Sequence, residues 1–134
     1  MKHAFALIAL AALMLAAWSA SSGESLADSF WVLRSMPGYA DLGPVEVTLI
    51  FDAEGAIGGN GGCNSYGGSY ELNGENGIAF SQIFSTEMYC ESNNASQIEQ
   101  AYFEALSQAQ SYSQDFESLR IQTTLGDMVF GVAP

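Results

Sequence analysis

Val45-Glu46-Val47-Thr48-Leu49-Ile50-Phe51-Asp52 leads, through Ala53-Glu54-Gly55-Ala56-Ile57, into Gly58-Gly59-Asn60-Gly61-Gly62-Cys63-Asn64-Ser65-Tyr66-Gly67-Gly68-Ser69-Tyr70. In the first part, Val45, Val47, Leu49 and Phe51 fall on one side of an extended chain. Glu46, Thr48, Ile50 and Asp52 fall on the other, the period-two pattern of a half-buried strand. Asp52-Ala53-Glu54-Gly55 carries turn chemistry, so Ala56-Ile57-Gly58 reads as the returning arm of a hairpin. Beyond the glycine run, Tyr66, Gly68, Tyr70 and Leu72 share a face, and Asn73-Gly74 marks a tight turn into a strand over Gly77 to Ile83. Glycines set between tyrosines indicate bulges or close backbone approach.

Further from this centre the same alternation recurs. Phe30 to Arg34 is strand-like, as is Ser111 to Asp115. Leu119, Ile121 and Thr123 alternate with Arg120 and Gln122, and Met128, Phe130 and Val132 follow a turn at Leu125-Gly126-Asp127. One segment has helical spacing: Ile98, Ala101, Tyr102, Ala105, Leu106 and Ala109 form an apolar stripe. Asn94 or Ser96 is placed to cap it, with Gln97 or Glu99 three residues later. Short antiparallel strands with one helix among them define an α+β domain. Its strongly curved antiparallel sheet approaches a barrel, with the one main helix packed against it.

The chain starts with Lys2 and His3, an apolar run from Ala4 to Ala17, and then small residues, the layout of a secretory signal and too short to span a bilayer comfortably. Cleavage sites fit after Ser19 and after Ala27, and the second divides the chain into a signal over 1–27 and one domain over 28–134. No cysteine follows the apolar run, so a lipid anchor has no acceptor. The expected location is the periplasm or the extracellular space.

Export would leave no lysine and no histidine, and only Arg34 and Arg120 as cations; of the 15 carboxylates in the chain only Glu24 precedes Asp28. A histidine-dependent triad, a Schiff-base lysine, a Walker-type lysine, histidine-ligated haem and a Cys/His zinc site all lack their residues. Nucleic acid is excluded because phosphate backbones are held by cationic side chains. An anionic membrane surface would repel the domain for the same reason. Asp52, Glu54 and Gly55 lack the spacing of a calcium loop and read as solvated hairpin residues. The tyrosines and Trp31 read as core and cross-strand partners.

The blocks together resemble the META domain, or HslJ-like, family of bacterial envelope stress proteins. The resemblance runs through Trp31-Val32-Leu33, Val47 to Phe51, Gly55, Gly62-Cys63-Asn64 and Tyr66 to Tyr70. It continues through Phe80, Ser85-Thr86-Glu87-Met88-Tyr89-Cys90, Ile98-Glu99, Phe103, Leu106, Leu119 to Ile121, Gly126 and Val129-Phe130. It marks Gly62, Asn64, Thr86 and Met88 as signature residues. The resemblance implies a cracked antiparallel β-barrel with a helix, and an association with heat shock and other envelope stress.

Cys63 and Cys90, the only cysteines, read first as a disulfide in an oxidising compartment. A redox-active pair and a two-thiolate metal site are the alternatives; the first lacks a Cys-x-x-Cys arrangement and neighbouring cations, and the second needs further ligands. For Asn64 and Thr86 the reading is that their short side chains hydrogen-bond backbone where the glycine run leaves the strand ladder. The functional expectation is a monomeric, non-enzymatic domain without cofactor or metal that binds a protein or an apolar ligand. A purely structural envelope component is the alternative, followed by a carboxylate- or thiol-dependent enzyme.

Overall fold

The computed structural model describes residues 25–134; the expected signal, apart from its last three residues, lies outside them. Eight strands and one helix follow in the order β1 (Ser29–Ser35), β2 (Thr48–Phe51), β3 (Ala56–Asn60), β4 (Ser65–Asn73), β5 (Gly77–Ser85), α1 (Ala95–Ser107), β6 (Ala109–Gln114), β7 (Ser118–Thr123) and β8 (Gly126–Val132). All neighbours pair antiparallel, and β8 returns to β1 to close the barrel. The expected curved sheet therefore closes on itself as a barrel.

Closure is uneven around the ring. β4 and β5 share a long ladder from Tyr66 with Ser85 to Asn73 with Gly77, whereas β5 and β6 share only Gly77 with Ser111. The helix connects those two strands in sequence and packs beside β5. Its stripe enters the core: Tyr102 and Leu106 are fully buried, with Ile98 and Ala105 beside them. Around them the inward residues of the strands (Leu49, Phe51, Leu119, Ile121, Met128 and Phe130) exclude water completely. Each large aliphatic or aromatic side chain so buried contributes about 1.5–3 kcal/mol. The core is the product of two periods, two along the strands and 3.6 along the helix.

At several places the structure differs from the local sequence pattern. Asn94 precedes the helix in the left-handed region (φ 57°) and makes no side-chain cap. Ser96 does not cap either, because its hydroxyl accepts from Cys90 N at 3.1 Å and donates to Cys90 O at 3.2 Å, which ties the preceding loop to the helix start. The helix also stops at Ser107, before Ala109: Gln108 N bonds back to Ala105 O at 3.0 Å, and Ala109 already pairs with Thr123 in β6. The last turn lies at Thr124-Leu125, since Thr123 pairs with Gly126.

The turn and the bulge follow the local chemistry of their residues. Asp52 Oδ1 accepts from Glu54 N at 2.9 Å and Ala56 N at 2.7 Å, so these residues build the hairpin turn. The bulge expected near the tyrosine-flanking glycines occurs opposite them in β5, where Gln82 takes φ 54° between the pairs Gly67 with Phe84 and Ser69 with Ser81. Packing begins before the expected boundary at Asp28: Leu26 is only 2% exposed within the core, and Ser29 Oγ donates to its carbonyl.

Candidate functional site

The glycine run ends in a knot centred on Asn64. Its side-chain amide donates to Glu99 Oε1 at 2.6 Å and to Met88 O at 3.1 Å. Its oxygen accepts from Thr86 Oγ1 at 2.8 Å and from Met88 N at 2.7 Å. An asparagine side chain has two donor hydrogens and one acceptor oxygen with two lone pairs, so its capacity is filled. Glu99, on the buried face of α1, completes the arrangement with Oε2, which accepts from Cys63 N at 3.0 Å and Asn64 N at 2.6 Å.

The Cys63–Cys90 disulfide spans a Cα–Cα distance of 5.8 Å beside this network, and no described cysteine is free. Gly62 is needed at its place: φ is 119°, and an added Cβ would stand 3.2 Å from Val45 Cγ1 and 3.3 Å from Ala95 O. The structure thus brings Gly62, Cys63, Asn64, Thr86, Met88 and Cys90 to one place. Met88 contributes only backbone groups to the network, and its side chain is exposed. Asn64 satisfies backbone groups as read from its chemistry, at Met88 N and O, whereas the Thr86 hydroxyl donates to the Asn64 side-chain oxygen and so supports Asn64 instead of the backbone.

The sequence pattern offers Glu99 as a capping partner, whereas in the structure it is the buried acceptor of the knot. The signal was available: position 99 lies in the stripe with Tyr102 and Leu106, and a carboxylate on a buried helix face must find donors. A second polar device sits deeper. Tyr66 Oη donates to Thr48 O at 2.7 Å and lies 2.6 Å from Tyr102 Oη, which leaves Tyr102 as the donor of that pair. Burial pushes both phenols above the ordinary tyrosine range; for Tyr66 the hydrogen bond from Tyr102 offsets this in part.

Beside the knot, on the outer wall of the barrel, lies a groove of about 550 Å³. Phe30, Val45 and Ile50 give it an apolar lining, and Gly59, Gly62, Cys90 and Ala95 at the start of α1 also line it. Asn60, Ser65, Ser92 and Asn93 supply polar groups, and Glu46 is the one titratable side chain in the lining. The glycine run beside the groove is sterically committed. A Cβ on Gly59 would stand 2.5 Å from Thr48 O, and one on Gly61 2.8 Å from both Glu99 Oε2 and Phe103 Cζ. Among the described residues no group of three or more His, Cys, Asp or Glu side chains is placed to hold a metal ion.

The META domain family model matches residues 24–132. The chain belongs to the META domain family. A solved structure from Burkholderia xenovorans, determined by NMR, is similar over 81% of this chain and 83% of its own, at 28% identity and a TM-score of 0.65. A second NMR structure, at 17% identity and a TM-score of 0.62, covers 78% of this chain and 89% of its own and shows a shared fold alone. No curated protein matches. The match of this META domain starts at residue 24 and so takes in the buried Leu26.

Proposed function

We propose that this META domain is an exported, non-enzymatic envelope protein, associated with stress, that acts by binding a protein or apolar ligand in the groove beside the Asn64 knot. The observation that carries this reading is the groove's composition: an apolar wall, neutral hydrogen-bonding groups and a single titratable side chain. General acid–base or covalent catalysis calls for a nucleophile or paired titratable groups, whereas binding calls for shape and apolar area. The burial of Leu26 favours a mature chain cut after Ser19, because a cut after Ala27 would discard a core residue.

The test uses Ile50, 43% exposed on the groove wall, and not the lining glycines Gly59 and Gly62, whose substitution would disturb the fold. A neutral apolar dye should bind saturably to the oxidised domain and lose affinity in Ile50→Thr, with the circular dichroism spectrum unchanged. Dye binding that ignores this substitution counts against the groove. The structural-component reading is favoured by one observation, that the polar atoms of Asn64 are all satisfied within the chain. Absence of any saturable ligand would support it.

A further inference from the structure

The outer wall of the barrel carries a row that crosses five strands. Phe30 pairs with Ile50, Ile50 with Gly58, Gly58 with Gly67, and Gly67 with Phe84. Directly opposed residues in antiparallel strands share a face, so these five stand on one side of the sheet. Phe30, Ile50 and Phe84 are 45%, 43% and 70% exposed. The flanking register pairs on β3 and β4, Ala56 with Ser69 and Asn60 with Ser65, are also short. Apolar side chains therefore border a low floor, and the Phe84 ring leans onto it: a Cβ at Gly67 would lie 2.5 Å from its Cζ. Four inter-strand steps of about 4.8 Å make the row roughly 19 Å long.

Charge selects the occupant. No lysine, arginine or histidine occurs between Arg34 and Arg120, while Glu46 lines the groove and Glu91 lies between the lining residues Cys90 and Ser92. Arg120 pairs with Asp127 at 3.0 Å, and Arg34, whose guanidinium donates to Val132 O at 3.3 Å, lines a smaller neighbouring cavity with Glu46, outside the groove itself. Within the groove's own lining an anionic ligand would meet Glu46 and no cation. A second copy would bring its own charge of −12 against the first. The row runs around a convex wall, which an extended chain can follow and a compact ligand cannot bridge.

We propose that the Phe30–Ile50–Gly58–Gly67–Phe84 row and its adjoining groove seat an extended segment of a cationic polypeptide. Its apolar side chains pack on Phe30, Ile50 and Phe84, and its lysines or arginines face Glu46 and Glu91. This rests on the binding reading above and names its partner class.

Isothermal titration of the oxidised domain tests it with four probes: a short peptide of alternating lysine and valine, its glutamate–valine twin, dodecyltrimethylammonium, and the neutral dye. The lysine peptide should bind saturably and more weakly as salt screens the charges. It should bind roughly tenfold more weakly to Phe84→Ser and to Ile50→Thr. Affinity equal in the wild type and both variants would mean bare charge attraction and overturn the proposal. So would equal binding of the glutamate twin, or tighter binding of dodecyltrimethylammonium than of the peptide. Sedimentation showing a dimer that Phe84→Ser dissolves would assign the row to a second copy and overturn it as well. Dye binding at the groove with no peptide binding defeats this inference alone, and silence from all four probes defeats the binding reading with it. Phe84 is exposed and threonine keeps a β-branched side chain at position 50, so the two variants test the row independently of folding.

Discussion

Replacing Glu99 by glutamine changes one oxygen of the carboxylate to an NH2 group at nearly constant volume. Both oxygens face donors: Oε2 receives the backbone N–H groups of Cys63 and Asn64, and Oε1 receives the Asn64 side-chain amide. Whichever way the new amide turns, its NH2 meets a donor. Rotating Asn64 does not relieve the conflict, because its NH2 would then face Met88 N and its oxygen would face Met88 O. The variant loses a charge-assisted hydrogen bond, about 1.5–3 kcal/mol, and leaves a buried donor unpaired, about 1–3 kcal/mol. Allowing for partial relaxation, we expect a loss of about 3 kcal/mol, a large share of the 5–15 kcal/mol typical of a domain. Equilibrium urea unfolding under non-reducing conditions, followed by fluorescence of the buried Trp31, measures it. In an Asn64→Ala background the same substitution should cost at least ~1 kcal/mol less, since the two share a bond. A single-variant loss below ~1 kcal/mol, or full additivity of the pair, would refute the assignment of Glu99 as the acceptor that holds the knot.

Reduction of Cys63–Cys90 should lower stability by about 3–4 kcal/mol in the chain-entropy model. The reduced protein should stay folded, because Asn64 still bonds to Met88 across the same gap; paired urea curves with and without reductant check this. Gly59→Ala, whose Cβ would lie 2.5 Å from Thr48 O at φ 143°, should cost at least ~3 kcal/mol or prevent folding. Gly58→Ala, with Tyr66 O at 3.4 Å, should stay within about 1 kcal/mol of wild type, and thermal melts of the two discriminate. A chain starting at Ala20 should exceed one starting at Asp28 by about 2 kcal/mol for the burial of Leu26, which unfolding of the two forms would show. Tyr66 and Tyr102 are held protonated above the ordinary tyrosine range. Their contribution is complete below the unfolded pKa of about 10 and is lost above it, by about 1.4 kcal/mol per pH unit for each tyrosine. Urea midpoints across the alkaline range should fall accordingly, and Tyr102→Phe should make that fall shallower; Tyr70, also raised, adds to what remains.

Much of this protein was legible one residue at a time. The alternation of Val47, Leu49 and Phe51, of Leu119 and Ile121, and of Met128 and Phe130 determined which faces are buried, because a strand's period of two needs no knowledge of its partner. The stripe from Ile98 to Leu106 did the same for the helix, and the single pair of cysteines left one possible bridge within the chain. The sequence did not determine what depends on contacts between distant segments. Closure of β8 on β1 is a property of the whole ring. The end of α1 before Ala109 follows from a competing pairing with Thr123. Glu99 acquires its role only because the helix sets it against Cys63 and Asn64, 36 and 35 residues away. The row from Phe30 to Phe84 exists because four separate registers bring its members into line. Local pattern records what a side chain prefers to face, but only the tertiary structure decides which neighbour it faces.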